Sequence, residues 1–403
     1  MVNTFLYPLL RNGFTKSDIT QGIRVLKSKQ LTMSKKTLNF ENNFAKKIGA
    51  KYAIMVNSGS SANLLSVAAA CNPLFKNKLN YGDEVLIPAL CWPTSLWPLV
   101  QYGLKPIFVD IDKETLNISI EDINKKITKK TKAIMCIHIL GLSSDIEKIR
   151  NIAKKKKLIL FEDTCESLGS KFKQKNLGTF GEFGTFSFYY SHQITSGEGG
   201  MIVTNSRENY NILKTLRSHG WSRDTSFHKY FQKKYKKIDK RFLFINSGYN
   251  LRPTEVQAAM ANNQLKRLSK LNMIRKYNRT KIINQIKKIN PKYTNLFKFL
   301  EVPKNINPSF FGLIIILNIR FKYNKIRFLN YLTQIGIENR CILTGNFLNQ
   351  PAAALYKLNK KNLTFKNTQA IDELGFFIGL HSNKISSSVT KFLAKSLLKI
   401  SDY

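Results

Sequence analysis

An acidic residue, Asp163, stands just past the apolar run in the segment LILFEDT, at the predicted carboxyl end of a β-strand. A carboxylate is costly to bury there unless a donor or a cation pairs with it. One partner that fits is the protonated pyridine nitrogen of pyridoxal phosphate, because such a pair increases the electron-withdrawing power of the ring. The other interpretation is that Asp163 or Thr164 caps the following helix. Taken alone, the residue supports both equally.

A turn of small residues, NSGSS, separates the apolar run YAIMV from a helical segment. Small side chains let backbone N–H groups approach a ligand closely, and a helix N-terminus attracts an anion. Gly59 and Ser60 are therefore candidate phosphate ligands, and an ordinary loop with a serine cap explains the turn equally well. Ser187, in the later run GTFSFYYS, is a further candidate phosphate ligand.

A single histidine, His192, stands between the run GTFSFYYS, predicted to be a strand ending at Ser191, and the turn TSGEGG. In pyridoxal enzymes the lysine that forms the Schiff base stands at such a place. An imidazole takes up and releases protons near neutral pH but cannot form a stable imine. His192 is therefore the candidate acid–base catalyst, the alternative being a histidine that only packs at a strand end.

The elements that must position these residues alternate between strands and helices from about residue 50. Continuously apolar strands separated by helices predict an α/β fold with a mainly parallel sheet covered on both faces. Ligands of such sheets bind at the carboxyl ends of the strands. About seven strands are predicted, in YAIMV, DEVLIPA, KPIFVDID, KAIMCIHILG, LILFEDT, GTFSFYYS and GGMIVTN.

Helix signals divide the rest of the chain. Ser144 and Glu147 have the spacing of a capping box before a helix. A strongly helical stretch near Pro253 is predicted to lead out of the large domain, and FFGLIIILNIRF and KIRFLNYLTQIGI predict a later strand and helix. We therefore expect a large cofactor-binding domain at residues 1–265 and a smaller C-terminal α/β domain at 266–403.

The composition argues against several classes of partner. The 403 residues include 65 Lys+Arg against 25 Asp+Glu, but the basic residues are scattered, as an AT-rich genome also produces. The one dense basic cluster, 228–241, is typical of a solvated loop, so we expect no nucleic-acid partner. The five cysteines lack metal-ligand spacing and favour a reduced cytoplasmic protein without a metal site. The apolar run FFGLIIILNI is far shorter than the ~20 residues that span a bilayer, so no membrane partner is expected.

The order of these features resembles the fold-type-I pyridoxal-phosphate enzymes and, within them, the nucleotide-sugar aminotransferase family named after DegT and StrS. The resemblance implies the pyridoxal-phosphate transferase fold. His192 stands where the family's aminotransferases have the Schiff-base lysine, as it does in the family's sugar 3-dehydratases. The segments that carry the resemblance are NSGSSANLL, DEVLIPALCWPTS, FVDID, FEDTCESLGS, GTFGEFGTFSFYY, GEGGMIVTN, RSHGWSRD and GYNLRPTEVQAA.

The resemblance implies removal of the C-3 hydroxyl from a nucleotide-linked 4-keto-6-deoxyhexose, with GDP-4-keto-6-deoxymannose as the expected substrate. Pyridoxal phosphate and pyridoxamine phosphate would be held without a covalent bond to lysine, and glutamate would regenerate the amine form as ammonia is released. Three alternatives stay open. They are a CDP-4-keto-6-deoxyglucose substrate without an iron–sulfur cluster, an aminotransferase activity, and noncatalytic binding of pyridoxal.

The resemblance also implies roles for individual residues in a homodimer with its active site at the interface. Asp163 would pair with the pyridine nitrogen, and Glu166 would lie near the ring hydroxyl. Trp92 would stack on the ring, the alternative being a hydrophobic loop anchor. The implied phosphate ligands are Gly59, Ser60, Ser187 and, from the other subunit, Asn250. The candidates for binding the nucleotide-sugar are His219, Arg252, Arg340 and His381.

Overall fold

The computed structural model describes residues 5–11, 13–359 and 364–403. Its helices are α1 (Lys16–Ser28), α2 (Lys35–Ile48), α3 (Gly59–Ala70), α4 (Pro93–Gln101), α5 (Ile120–Lys126), α6 (Ile146–Lys156), α7 (Arg207–Arg217), α8 (His228–Lys234), α9 (Glu255–Leu265), α10 (Leu268–Ile289), α11 (Lys325–Gln334), α12 (Pro351–Leu355), α13 (Lys366–Leu374) and α14 (Ser387–Leu398). Its strands are β1 (Tyr52–Val56), β2 (Glu84–Pro88), β3 (Lys105–Val109), β4 (Thr131–Ile137), β5 (Ile159–Asp163), β6 (Lys171–Phe172), β7 (Lys175–Asn176), β8 (Phe183–Ser187), β9 (Gly200–Thr204), β10 (Phe297–Lys298), β11 (Ile306–Asn307), β12 (Gly312–Leu317), β13 (Asn339–Arg340) and β14 (Gly375–Gly379).

The largest sheet has seven strands in the order β1-β9-β8-β5-β4-β2-β3. Strand β9 pairs antiparallel with β1 and β8, and the other pairs in this sheet are parallel. All strands of the sheet except β9 therefore run in one direction and end at the same edge. The prediction of a mainly parallel sheet of about seven strands is confirmed.

Both faces of this sheet are covered by helices. On one face, Phe186 of β8 packs edge-on against Phe44 of α2, with ring centroids 5.1 Å apart. On the other face, Phe161 of β5 stacks on Phe183 of β8 within a cluster that includes Leu65 of α3. Strands β2, β5 and β8 are buried along their whole length. Burial on both faces explains their continuously apolar sequences.

A second sheet has four antiparallel strands in the order β10-β12-β14-β13. Its strand β12 and the helix α11 lie within the segments predicted for them. The N-terminal segment also packs here, because the Tyr7 hydroxyl donates to the Gly379 carbonyl at 3.0 Å. The predicted boundary after residue 265 lies between α9 and α10, and the division into two domains stays a prediction.

The start of α6 differs from the predicted capping box. The Asp145 carboxylate accepts from the Lys148 N–H at 3.1 Å and caps the helix. The Ser144 hydroxyl instead donates to the Ile118 carbonyl at 2.6 Å, inside the protein. The prediction that Ser144 caps α6 is wrong because burial commits its hydroxyl to a distant backbone acceptor.

In the described part of the chain, no helix is both long and apolar enough to cross a membrane. Within residues 5–11, 13–359 and 364–403, no group of three His, Cys, Asp or Glu side chains is arranged to hold a metal ion. The dense basic cluster forms α8 and the loop after it, and none of its residues is buried.

Candidate active site

The predicted phosphate turn forms the start of α3. The Ser58 hydroxyl caps the helix by accepting from the Ser61 N–H at 3.0 Å, so Gly59 is the first helical residue. A Cβ atom at Gly59 would lie 2.5 Å from the Cβ of Ser187 at the end of β8. The Ser60 hydroxyl donates to the Thr94 hydroxyl at 3.2 Å. The structure therefore brings Gly59, Ser60 and Ser187 to one place, at the positive end of a helix.

Replacing Gly59 by alanine should weaken binding of pyridoxal phosphate about tenfold and lower stability by about 1–3 kcal/mol, because overpacking forces α3 and β8 apart. Titration with the cofactor and thermal unfolding measure the two effects. Gly22→Ala in α1 is the matched control, since its Cβ would lie 3.2 Å from Sδ of the flexible Met260 side chain and at an ordinary contact distance of 3.7 Å from Val256. Equal cofactor affinity in Gly59→Ala and the parent would contradict this role.

Asp163 ends β5 and is 5 % exposed. Its Oδ2 accepts from Asn63 Nδ2 at 2.7 Å and from the Ser95 hydroxyl at 2.6 Å. Its Oδ1 accepts from the Cys165 N–H at 3.1 Å. A carboxylate has about four lone-pair sites, so these bonds leave capacity for one more donor. The protonated nitrogen of a pyridine ring fits this remaining site.

Glu166 lies three residues after Asp163 in the sequence and is partly buried. Its Oε2 accepts from the Leu140 N–H at 3.0 Å. Burial, with a further contribution from the charge of Asp163, raises the pKa of Glu166 to about 8. A carboxyl group with such a pKa can donate a proton to, or share one with, an oxygen beside it near neutral pH.

Trp92 stands immediately before α4 and is 51 % exposed. The other tryptophan of this segment, Trp97, is the one that anchors the loop, since its ring packs against Phe347 at 5.5 Å and Tyr356 at 5.0 Å. The indole of Trp92 is left accessible, two residues before Thr94, which bonds to Ser60. This placement is compatible with a ring that stacks on a bound cofactor.

The strand before His192 is shorter than predicted. Strand β8 ends at Ser187, and Tyr189 and Tyr190 are about half exposed. The His192 N–H donates to the Tyr189 carbonyl at 3.0 Å, which turns the chain. The prediction of a strand continuing to Ser191 is therefore wrong beyond Ser187, because exposed tyrosines and a tight turn replace the sheet pairing. His192 lies in a loop and not at a strand end.

Hydrogen bonds from two glutamine side chains, Gln193 and Gln264, fix the part of this loop that follows His192. Gln193 Nε2 donates to the carbonyls of Glu166 at 2.6 Å and Ser309 at 3.2 Å. The amide of Gln264 in α9 accepts from the Thr195 N–H at 2.9 Å and donates to its carbonyl at 2.8 Å. The loop that carries His192 is thus fastened to the segment that carries Glu166.

The His192 ring lies edge-on to Phe311 and Tyr189, with centroid distances of 5.1 Å and 5.9 Å. Its Nδ1 is buried and has no hydrogen-bond partner in the described structure. Burial, and secondarily the positive charge of Arg275, lowers the pKa of His192 to about 3. The imidazole is therefore neutral at physiological pH, which is the form that accepts a proton.

Three of the remaining predicted residues lie close together. His219 has φ 60° and precedes Gly220 in a sharp turn, and its N–H donates to the Tyr249 carbonyl at 2.7 Å. Arg252 Nε donates to the exposed Asn250 Oδ1 at 2.9 Å. The neighbouring Leu251 carbonyl accepts from the Asn57 N–H at 3.2 Å, which places this rim beside the phosphate turn.

Of the other two predicted substrate residues, Arg340 lies in β13 of the second sheet and His381 lies just after β14. Arg340 is exposed and donates to the Glu338 carboxylate at 2.8 Å. His381 is 3 % exposed, its Nε2 lies 2.7 Å from the Pro8 carbonyl, and its ring stacks on Tyr7 at 4.1 Å. The structure thus uses His381 to hold the N-terminal segment. It does not bring Arg340 or His381 into contact with the residues at the phosphate turn.

The sequence reasoning missed three residues that support the site, namely Asn63, Ser95 and Gln193. Asn63 and Ser95 bond to Asp163, and Gln193 bonds to the Glu166 backbone. A signal was available for Asn63, which is a polar residue in an otherwise small and apolar helix. Ser95 and Gln193 carry no comparable signal, because their partners are distant in sequence.

The sequence profile described as the DegT/DnrJ/EryC1/StrS aminotransferase family matches residues 14–394. The chain belongs to this family. Asn63 of α3 bonds to Asp163, and Asp163 keeps a free acceptor site near the turn formed by Gly59 and Ser187, so the residues present fit a pyridoxal-phosphate cofactor. In this chain, the loop after β8 carries His192.

Solved and curated relatives agree over nearly the full length. The GDP-4-keto-6-deoxy-D-mannose 3-dehydratase of Escherichia coli O55:H7 is 37 % identical over 95 % of this chain and 97 % of its own. A structure of the E. coli enzyme with bound hydrated PLP matches at 35 % identity and a TM-score of 0.86, covering 98 % of this chain and 100 % of that one. Another, with a trapped PLP-glutamate geminal diamine, matches at 35 % identity and a TM-score of 0.85, with 97 % and 100 % coverage. Within the DegT/DnrJ/EryC1/StrS family, this chain is thus similar to 3-dehydratases.

Proposed function

We propose that this protein removes the C-3 hydroxyl of GDP-4-keto-6-deoxymannose, using pyridoxamine phosphate and releasing ammonia. Glutamate would return the cofactor to its amine form and leave as 2-oxoglutarate. The observation that carries the proposal is a neutral imidazole, His192, in the loop after β8 of a family whose aminotransferases use lysine there. The other residues that the family resemblance assigns to the cofactor are present in the sequence, which favours an enzyme over a pyridoxal-binding protein.

When bound, the cofactor supplies an amine that condenses with the C-4 ketone and a ring that accepts electrons. Asp163 would keep the pyridine nitrogen protonated, and Trp92 would cover the ring. Gly59, Ser60 and Ser187 would hold the phosphate at the N-terminus of α3. Glu166, with its raised pKa, would lie near the ring hydroxyl.

His192 would move both protons of the reaction. As a neutral imidazole it would accept a proton from C-4′ of the cofactor, and the resulting imidazolium would protonate the departing C-3 hydroxyl. No covalent bond to lysine would form, because an imidazole cannot replace the ε-amine. The lysines nearest in sequence to His192, namely Lys171, Lys173 and Lys175, lie on the β6–β7 hairpin, where Lys173 pairs with Glu147 at 2.6 Å.

The active form would be a homodimer in the cytoplasm, with Asn250 reaching the cofactor phosphate of the other subunit. Asn250 is exposed and lines a cavity of about 460 Å³ with Arg217, Trp221 and Arg252. This rim would bind the nucleotide-sugar through His219 and Arg252, and Arg340 would contact it from the second sheet. His381 would act indirectly, through the N-terminal segment it holds. The five free cysteines suit a reducing compartment.

The test is to incubate the purified protein with pyridoxal phosphate and glutamate, and then to add GDP-4-keto-6-deoxymannose. We expect glutamate to bleach the aldehyde absorbance and yield 2-oxoglutarate. The sugar product should have lost the C-3 oxygen, with one ammonia released for each sugar. A 4-amino sugar would instead identify an aminotransferase, and binding without bleaching would identify a noncatalytic protein. If the protein turned over only CDP-4-keto-6-deoxyglucose, the proposed substrate would be wrong and the proposed 3-dehydration would stand.

A further inference from the structure

A fully buried arginine lies behind His192. Arg275, on α10, is 1 % exposed, and no Asp or Glu of the described residues forms a salt bridge with it. Its guanidinium donates instead to backbone carbonyls, to Phe311 at 2.9 Å and Phe310 at 3.3 Å through Nη1, and to His192 at 3.5 Å through Nη2. Burying an arginine without a carboxylate costs free energy, so the position calls for a specific explanation.

The contacts of Arg275 join three separate parts of the molecule. Phe310 and Phe311 lead into β12 of the second sheet, His192 belongs to the loop after β8, and Arg275 lies on the long helix α10. Phe311, held by Arg275 through its carbonyl, is also the residue whose ring packs against the His192 imidazole at 5.1 Å. Arg275 therefore fixes both the backbone of His192 and a wall of its side-chain pocket.

We propose that Arg275 is a positioning residue for His192: it fixes the loop backbone and the Phe311 wall of the imidazole pocket, and its buried charge adds to burial in disfavouring the imidazolium. This inference rests on the proposed role of His192 and adds a residue that does not touch the cofactor or substrate. An uncompensated cation close to an imidazole disfavours a second positive charge in the same low-dielectric pocket.

Other charged and titratable groups near His192 do not replace Arg275. Arg267 lines the same small cavity of about 40 Å³ as His192, but its guanidinium pairs with Asp18 at 2.8 Å. Tyr189 faces the ring from its own loop, and Glu166 is connected to the loop only through its backbone carbonyl and Gln193. Tyr7 and His381, on the other side of Arg275, are buried and uncharged at neutral pH, since burial raises the pKa of Tyr7 and lowers that of His381 to about 4.

The experiment follows the protonation of His192 directly, in the protein without cofactor. The chain has five histidines, so ¹³C-labelled histidine gives few ring resonances, and the difference from His192→Asn assigns the one of interest. In the parent protein, we expect this resonance not to titrate above pH 5. In Arg275→Gln, its pKa should rise by about one pH unit, a tenfold change in proton affinity. Arg275→Lys keeps the charge and should therefore keep the parental pKa of His192.

Arg279→Gln is the matched control, since Arg279 lies one turn along α10 and donates to the Leu300 carbonyl at 2.7 Å. It should leave the His192 resonance unchanged. An equal pKa in Arg275→Gln and the parent would overturn the proposal, and so would a parent His192 that titrates near its ordinary value of about 6.5. The titration of His192 in the parent protein is measured without any variant, so it does not depend on whether a variant folds. Bleaching by glutamate in the parent protein and its loss in His192→Asn test the proposed function separately. The role of Arg275 and the proposed function can therefore fail independently.

Discussion

His192→Asn should lower the rate of sugar dehydration by about 10³-fold, within the range of general acid–base catalysis, while leaving the protein folded. Asparagine has nearly the same reach as the imidazole but cannot take up a proton at neutral pH. The ring packs edge-on against Phe311 and Tyr189, and among the described residues its Nδ1 has no hydrogen-bond partner, so the substitution breaks no hydrogen bond of that atom. The measurements are the rate of bleaching by glutamate and the rate of ammonia release with the sugar.

The matched control is His228→Asn, because His228 lies at the start of α8, where its Nδ1 bonds to the Ser222 hydroxyl at 2.8 Å. That variant should retain the parental rates. A second variant, His192→Lys, restores an ε-amine at the reactive position. It should hold the cofactor covalently, so that borohydride fixes it to the chain, and dehydration should be lost. Dehydration at the parental rate in either His192 variant would refute the role of this residue as the single acid–base group.

The second large effect is expected at Asp163. Asp163→Asn should lower the rate of bleaching by glutamate about 10²–10³-fold, the size of effect seen when one oriented electrostatic contact in an active site is removed. The amide oxygen can still accept from Asn63 and Ser95, so the fold should persist. What is lost is the negative charge that keeps the pyridine nitrogen protonated. Stopped-flow absorbance and cofactor titration measure the change.

Two further variants separate this electrostatic role from a structural one. Asp145→Asn makes the same substitution at the cap of α6 and should leave the bleaching rate unchanged. Asp163→Ala leaves the Asn63 and Ser95 donors without their acceptor and should also destabilise the fold, by about 1–3 kcal/mol for each unpaired group. If Asp163→Asn bleaches as fast as the parent, the proposed pairing with the ring nitrogen is wrong.

The local sequence was sufficient to predict the seven-stranded sheet. It also predicted β1 and β5, whose carboxyl ends lead into the candidate site. YAIMV is β1 to the residue, and LILFEDT contains β5 with Asp163 at its end. These segments are buried on both faces, so their apolar runs have a single structural explanation. The predictions of local structure failed where a residue's contacts are made with residues far away in the sequence. Ser144 bonds to Ile118 in place of capping α6, and the strand before His192 stops early, at Ser187.

Residue types and their order along the chain were enough to predict the fold class and the family, and they make His192 the candidate reactive residue. Only the tertiary structure decided the environment of that residue. Asn63 and Ser95 reach Asp163 from α3 and α4, and Arg275 reaches His192 from α10. Such contacts join residues far apart in sequence, and burial then sets the protonation states. The pKa of His192, lowered to about 3, depends on that packing and on no feature of its neighbours in the chain.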